Sequence, residues 1–500
     1  MQNRKPKNSP FRGLDIQRHS FLSDKDCRLI HEGSCQLLEE VGIGVTHAGA
    51  VKLFEKEGAT KQNGRMFIPR MIVERSIQQT EKNIVLKALD STNNLGIEGK
   101  NSRVHYGTGG QALYVLDYKD GAFEKKAAVT QDLIDIVRIC ENLENVDFIT
   151  RPVEPNVQDE DMDLTKTRIF LENTSKHINL ANLIQIEKLP EIISMVQNKE
   201  LISFIACVLV SPLSMAESTT EKFIRFIQED IPVAISSCPQ AGTTAPLSEV
   251  GELMQVNAEV LSALTLANLV RPGAKILYRG IPITSNLHTN VSPRWCQPDS
   301  IRRIAIVSDM THFYGIPCCG TAGVSDEKEP NPQAIAEKTL SWIFETASGA
   351  QFINSALGML EQVLTVCPEQ YIIDDMVIGR IKQLFLKSPD YNLRDIARTG
   401  VEEALSMFGV QMDSAMKEEV SSRINFIFSG QEEYSADHVQ AQADLIKKAI
   451  ISGKSSNVFL KTSRSGLRRG WLYSGKRFEG RLELEDLHLL KTEILDSYGN

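Results

Sequence analysis

The 500-residue sequence has no run of about 18 uninterrupted apolar residues. Its most apolar windows, 201–210 and 260–269, are too short to cross a bilayer, so neither a membrane span nor a membrane partner is expected. The first 15 residues are basic and polar, with Pro6, Pro10 and Gly13 and no apolar core, so no secretory signal is expected and the cytoplasm is the expected compartment. Positive charge is in deficit: 55 Lys and Arg stand against 64 Asp and Glu, a net −9, which argues against a nucleic-acid partner. The nine cysteines are odd in number, scattered and set in apolar runs such as Ile205-Ala-Cys-Val-Leu, so reduced, buried thiols are expected rather than a disulfide framework. Cys318-Cys319 lacks a second pair at zinc-site spacing and reads as packing. The histidines form no H-E-x-x-H, and no metal site is expected. No G-x-G-x-x-G stands at a strand-to-helix turn, which disfavours a dinucleotide-binding open sheet.

What is present is an ordinary folded composition, 42% hydrophobic and 24% charged, which excludes a disordered scaffold. Residues 1–100 read as a separate α+β segment. Ser23-Asp24 caps a helix whose apolar positions Cys27, Ile30, Leu37, Leu38 and Val41 keep the helical period, with Gly42 to end it. From about residue 103, short β-prone runs alternate with amphipathic helical stretches. The eight runs are 103–106, 146–150, 177–181, 203–210, 233–237, 275–278, 316–319 and 351–355. Helical patterns at 131–142, 164–173, 187–197, 219–228, 250–267, 301–312 and 333–348 lie between them. That count predicts an α/β fold, a (β/α)8 TIM barrel over residues 101–385. Asp120-Gly121 marks a β-hairpin inserted at 111–128. Residues 386–500 read as a helical extension with a basic segment at 453–480, containing Lys454, Lys461, Arg464, Arg468, Arg469, Lys476 and Arg477, and helical spacing over 481–497. The basic segment suits either a solvated face or an acidic partner.

In a barrel, the residues after each strand surround the site. Here they are rich in Gly, Pro, Ser and Thr, which let a backbone approach a ligand and equally serve plain turns. Gly109 and Gln240 are expected substrate contacts among them. Arg279 directly follows the sixth run and can hold a carboxylate bidentately, or else form a structural ion pair. Tyr106, Tyr278 and Trp295 offer π-faces to a cation or belong to the core. Alternation sends Tyr278 and Arg279 to opposite sides of the sixth strand. Asp326, Lys328 and Glu361 follow the seventh and eighth runs as possible acids, bases or an amine nucleophile, with Glu369, Asp374 and Asp375 behind them. For these acids the competing reading is ion pairing on a helix face.

The succession Tyr106-Gly-Thr-Gly-Gly, Ala241-Gly-Thr-Thr-Ala-Pro-Leu, Asn257-Ala-Glu-Val-Leu, Val270-Arg-Pro-Gly-Ala, Ser325-Asp-Glu-Lys, Pro332-Gln-Ala and Glu369-Gln-Tyr-Ile-Ile-Asp-Asp resembles the trimethylamine methyltransferase superfamily. The resemblance covers residues 25–385. It implies a (β/α)8 barrel that moves a methyl group from a methylated amine to the cobalt of a separate corrinoid protein, with cobalamin carried by that partner and no cofactor tightly bound to the barrel. Some members carry pyrrolysine at the mouth and use trimethylamine; others lack it and are similar to glycine betaine methyltransferases. This chain has only standard residues, with Lys328 or a neighbour at the corresponding segment, so the non-pyrrolysine branch is implied.

The expectation is therefore a methyltransferase acting on a small quaternary amine such as glycine betaine, proline betaine or carnitine, with a corrinoid protein as partner. Arg279 is expected at the carboxylate, Tyr106 near the ammonium, and Asp326, Lys328 and Glu361 around the pocket. A homo-oligomer is expected on general grounds. Two alternatives stand beside it: a non-catalytic quaternary-amine binding protein, and a barrel lyase or aldolase using Lys328.

Overall fold

The computed structural model describes residues 11–155, 161–287, 293–386, 392–429 and 434–453. Each of the eight β-prone runs overlaps a strand, the seventh only at Cys319: β1 (Arg103–Tyr106), β2 (Phe148–Thr150), β3 (His177–Asn179), β4 (Ile202–Ala206), β5 (Val233–Ser237), β6 (Ile276–Gly280), β7 (Cys319–Thr321) and β8 (Phe352–Asn354). Between them lie α1 (Thr130–Asn142), α2 (Met162–Asn173), α3 (Leu189–Val196), α4 (Glu217–Gln228), α5 (Glu249–Val270), α6 (Pro298–Tyr314) and α7 (Pro332–Ser348). The fold is mixed α/β. Strands β2 to β6 pair in parallel as one sheet, and β7, β8 and β1 pair in parallel in a second, whose edge carries Leu14–Asp15 antiparallel to β1. Single parallel bridges connect the two sheets at both edges, Gly107 to Phe148 and Tyr278 to Cys318.

The inserted hairpin is Tyr114–Lys119 with Ala122–Ala127, and its turn residues Asp120 and Gly121 have φ of 51° and 84°. A primed two-residue turn needs that left-handed pair, which accounts for the Asp-Gly signal. The capping box at Ser23 is formed, and Gly42 ends the first helical stretch with φ 69°.

Residues 11–100 differ from the expectation of a separate unit. One apolar core runs without a break from Leu14 to Ala449. The N-terminal strand Ile43–Val45 pairs with Ser214–Met215, which follows β4. The hairpin Asn83–Leu86 with Leu95–Glu98 sends Ile84, Leu86, Leu95 and Ile97 into a buried cluster with Phe148, Ile205, Ala234, Leu277, Cys319 and Phe352 of the strands. Apolar side chains from a flanking hairpin thus fill the space between the strands, and burial of that area holds the two parts together.

Helix α8 (Pro368–Leu386) leads to α9 (Leu393–Ser406), α10 (Ser414–Ser429) and α11 (Ala436–Ser452). The residues of the basic segment from Lys454 onward, and the helical spacing at 481–497, lie outside the described residues. Helix α5 is long and apolar enough to span a bilayer, but 89% of its most apolar window is buried inside the protein.

Candidate active site

Alternation along the strands sorts their side chains into two sets. One set packs on the helices: Tyr106 reaches Thr346 Oγ1 on α7 at 2.6 Å, Tyr278 donates to Asn257 Oδ1 on α5 at 2.9 Å, and Phe204 stacks on Phe226 of α4 with centroids 4.0 Å apart. The other set faces inward. Its floor is the apolar cluster just described, in which Phe148 and Phe352 stack with centroids 3.5 Å apart. One step nearer the strands' C-terminal ends it becomes polar, with Thr150, Ser236, Arg279, Thr321 and Asn354. Asn354 Nδ2 donates to Thr150 Oγ1 at 2.8 Å and to the Thr108 carbonyl at 3.2 Å. Gly109 leaves room for that amide, since a Cβ there would lie 2.5 Å from Asn354 Oδ1.

Arg279 is the decisive member of this layer. It is only 8% exposed, and it donates from Nη1 to Ser236 Oγ at 2.6 Å and from Nη2 to Thr321 Oγ1 at 3.0 Å. Its Nε has no hydrogen-bond partner, and no carboxylate pairs with it among the described residues. Buried cations normally have a paired acid. Glu345 on α7 is close enough to feel Arg279, but burial pushes its carboxyl up to about 8, so it is mostly protonated at neutral pH. The guanidinium keeps a donor without a protein partner.

The loops after β7 and β8 meet beside this layer. Glu361 N–H donates to the Glu327 carbonyl at 2.7 Å, and Gln362 N–H to the Ser325 carbonyl at 3.0 Å. Glu361, Gln362 and Val363 have φ of 48°, 58° and 69° in succession. Left-handed backbone costs a β-branched residue such as Val363 on the order of 1–3 kcal/mol and persists only where surrounding contacts enforce it. The carboxylate of Glu361 accepts from Lys125 Nζ of the hairpin and, at 2.6 Å, from Thr365 Oγ1. Burial alone would raise its pKa, but those hydrogen bonds and the Lys125 and Lys328 charges outweigh it and hold the carboxyl below the usual range.

Asp326 sits in the same loop among different neighbours. The Trp295 N–H reaches its Oδ1 at 3.3 Å, its Oδ2 is unpartnered, and its own N–H donates to Glu337 Oε2 at 3.2 Å. Burial raises both carboxyls, and at Glu337 the Asp326 charge adds to it; Arg294 opposes the rise at Asp326, and Arg423 on α10 opposes it at both. Behind β7, Glu345 Oε2 and the indole Nε1 of Trp295 are buried without partners, and both residues line a cavity of about 10 Å3, room for one water.

The structure thus brings Asp326, Lys328 and Glu361 onto adjoining loops, with Arg279 deeper in. Gln240 lies at the rim, its Oε1 accepting from Ser285 Oγ at 3.4 Å. Tyr106 does not join them, because its phase along β1 turns the ring toward α7 and under Lys382 Nζ, 5.1 Å from the centroid. The separation of Tyr278 from Arg279 follows from the same alternation. Lys328 is exposed, without the dry surroundings that an amine nucleophile needs. Seven cysteines are buried and none is in a disulfide, but Cys207 and Cys238 are exposed, contrary to the expectation of nine buried thiols. Asp374 is paired, at 2.9 Å, with Lys338 of α7, a partner nothing in the local pattern marks. A concavity of about 770 Å3 lined by Lys82, Glu98, Lys100 and Tyr314 lies at the opposite, N-terminal end of the strands.

Residues 2–407 match the family model described as trimethylamine methyltransferase (MTTB). The chain belongs to that family. It is 28% identical over 387 residues to trimethylamine methyltransferase MttB of Methanosarcina thermophila, covering 75% of this chain and 79% of that one. It is 24% identical over 390 residues to a glycine betaine methyltransferase of Desulfitobacterium hafniense (strain Y51), covering 74% and 78%. Among solved structures it is similar to the monomethylamine methyltransferase of Methanosarcina barkeri, at 12% identity and a TM-score of 0.48 over 89% of this chain and 95% of that one. The family named by the matching model is the one that the succession of motifs resembles.

Proposed function

We propose that this protein transfers a methyl group from a small quaternary amine bearing a carboxylate, of the glycine betaine, proline betaine or carnitine kind, to the cob(I)alamin of a partner corrinoid protein. In this reading the eight strands act as one (β/α)8 barrel, supported by the bridges at both sheet edges, and the substrate enters at their C-terminal ends. The observation that carries the reading is Arg279, an inward guanidinium with a free Nε and no acid partner among the described residues. An uncompensated positive charge repels a bare ammonium and anchors a zwitterion by its carboxylate.

The chemistry asks little of the protein beyond binding. As the C–N bond breaks, its electron pair stays on nitrogen and a neutral tertiary amine departs; the cobalt supplies the pair that forms the Co–C bond. No proton moves. The site has to orient the amine, exclude water and leave the methyl reachable. Asp326, Lys328 and Glu361 shape the rim in this reading, with Gly109 and Gln240 as further contacts. The likeness to a glycine betaine methyltransferase supports the substrate class.

Calorimetric titration tests the reading. Glycine betaine is expected to bind at least about tenfold more tightly than choline, which keeps the trimethylammonium and lacks the carboxylate. Trimethylamine binding as tightly as the carboxylated amines would overturn it.

A further inference from the structure

The two exposed cysteines are not on an outer loop. Cys207 lies between Ala206, 3% exposed, and Val208, 0%; Cys238 lies between Ser237, 1%, and the buried Pro239. An accessible side chain between buried neighbours, one residue beyond an inner strand, opens onto an internal space. Alternation gives its direction. Ile205 and Ala234 belong to the inward apolar floor, and Ser236 bonds to Arg279, so Cys207 and Cys238 continue the inward series two residues further along their strands.

The register places them relative to the guanidinium. Ser236 is opposite Arg279 between β5 and β6, and Ala206 is opposite Ile235 between β4 and β5, which sets Cys207 beside Ser236. Cys238 stands one inward step, about 6.6 Å, beyond Ser236. The thiol of Cys238 feels both Arg279 and Cys207; its surface is accessible, but it lies deep among protein atoms, and that surrounding apolar mass pushes it up to about 12, so it is a neutral thiol at physiological pH. Above the Phe148–Phe352 floor the inward strand positions carry hydroxyls, the amides of Asn179 and Asn354, two thiols and a guanidinium, and no aromatic ring among the described residues. The strands therefore provide no cation–π face for an ammonium. A neutral thiol provides a polarizable, electron-rich surface that packs against methyl groups without a large desolvation cost.

We propose that Cys207 and Cys238 form the wall of the substrate chamber that meets the methylated ammonium, while Arg279 holds the carboxylate. This rests on the substrate reading given above and adds the residues that recognise the cationic end.

Methylmercuric chloride tests it on the whole protein. This small thiophilic reagent forms an S–Hg bond as the thiol proton passes to water and chloride leaves, and mass spectrometry locates the modified residues. The first two equivalents are expected on Cys207 and Cys238, with the seven buried cysteines reacting later. Saturating glycine betaine is expected to slow both by about tenfold. The double variant Cys207→Ser, Cys238→Ser is expected to raise KM for glycine betaine about tenfold while kcat falls less than about threefold, the split expected for lost binding contacts. Mercury going first to other cysteines overturns the wall and leaves the substrate reading standing. So does glycine betaine that binds calorimetrically without protecting either thiol. Early labelling of Cys207 and Cys238 with no quaternary amine bound at all overturns the substrate reading, and the role of the wall with it.

Discussion

Lys338 and Asp374 form an ion pair at 2.9 Å in which neither side chain reaches solvent. Each also holds a loop at the C-terminal end of a strand. Lys338 Nζ donates to the Gly323 carbonyl after β7 at 2.6 Å, and Asp374 Oδ2 accepts the Gly358 N–H after β8 at 2.7 Å. The pair therefore fixes the two loops that carry Asp326, Lys328 and Glu361 against α7 and α8. Lys338→Met leaves an uncompensated buried carboxylate and is expected to cost about 3–5 kcal/mol in urea denaturation. Lys338→Met with Asp374→Asn removes the stranded charge, keeps an acceptor for Gly358, and is expected to lose less than the single variant. Equal losses would show that the pairing of charge is not what stabilises these loops.

Arg279→Ala is expected to raise KM for a carboxylated quaternary amine about 10- to 150-fold, the loss of about 1.5–3 kcal/mol for hydrogen bonds to a charged group, with a smaller change in kcat. Arg279→Lys keeps the charge without the planar fork and is expected to fall between the two. Steady-state kinetics on all three proteins checks the order. Unchanged KM in Arg279→Ala removes this residue from the site.

Stability is expected to fall with rising pH through Glu345. Its folded pKa, about 8 through burial, lies above the ordinary value of 4.5. The folded protein keeps a proton there that the unfolded chain has released, so the contribution is complete below about 4.5 and is lost as pH rises through about 8. Glu345→Gln keeps an acceptor for the Thr321 N–H and removes the titration. Its melting temperature is expected to exceed that of the parent protein by more at pH of about 8.5 than at about 5.5. An equal margin at both would exclude the coupling.

Two glycines separate conformational cost from steric cost. At Gly323, φ is 78° and a Cβ would lie 2.2 Å from the Ala356 carbonyl oxygen, whereas Gly121 has φ 84° and nothing within 4 Å. Gly121→Ala is expected to lose about 1 kcal/mol, the cost of left-handed backbone alone. Gly323→Ala also has to push apart the loops after β7 and β8, and is expected to lose more, about 2–4 kcal/mol, together with methyl transfer. Guanidinium denaturation of both variants, with the activity of the second, decides this.

The eight strands were legible because buried parallel strands are short apolar runs bounded by turn residues, as at Val233–Ser237, and because the intervening helices keep their own period. Arg279 stood out in the sequence because it follows an apolar run directly. The phase of each strand was harder to read: Tyr106 is the last residue of β1 and Arg279 the last but one of β6, and a shift of one residue decides which faces the helices. Cys207 and Cys238 were misassigned for a related reason, since an apolar sequence context looks the same around a buried thiol and around an accessible one. Glu345, Glu337 and Lys338 carried no signal at all. They reach the loops from α7, and only the fold brings Lys338 to Asp374, 36 positions away. The apolar hairpin at Asn83–Glu98 reads locally as an ordinary two-stranded turn, and its place under the strands is a property of the packed molecule.

The most direct measurement is the cobalt spectrum of a reduced partner corrinoid protein mixed with this protein and, in turn, glycine betaine, proline betaine, carnitine and trimethylamine. The account predicts loss of the cob(I)alamin bands and growth of methylcobalamin with at least one of the carboxylated amines, and no change with trimethylamine. Methylcobalamin formed from trimethylamine alone, or from none of the four, would contradict it.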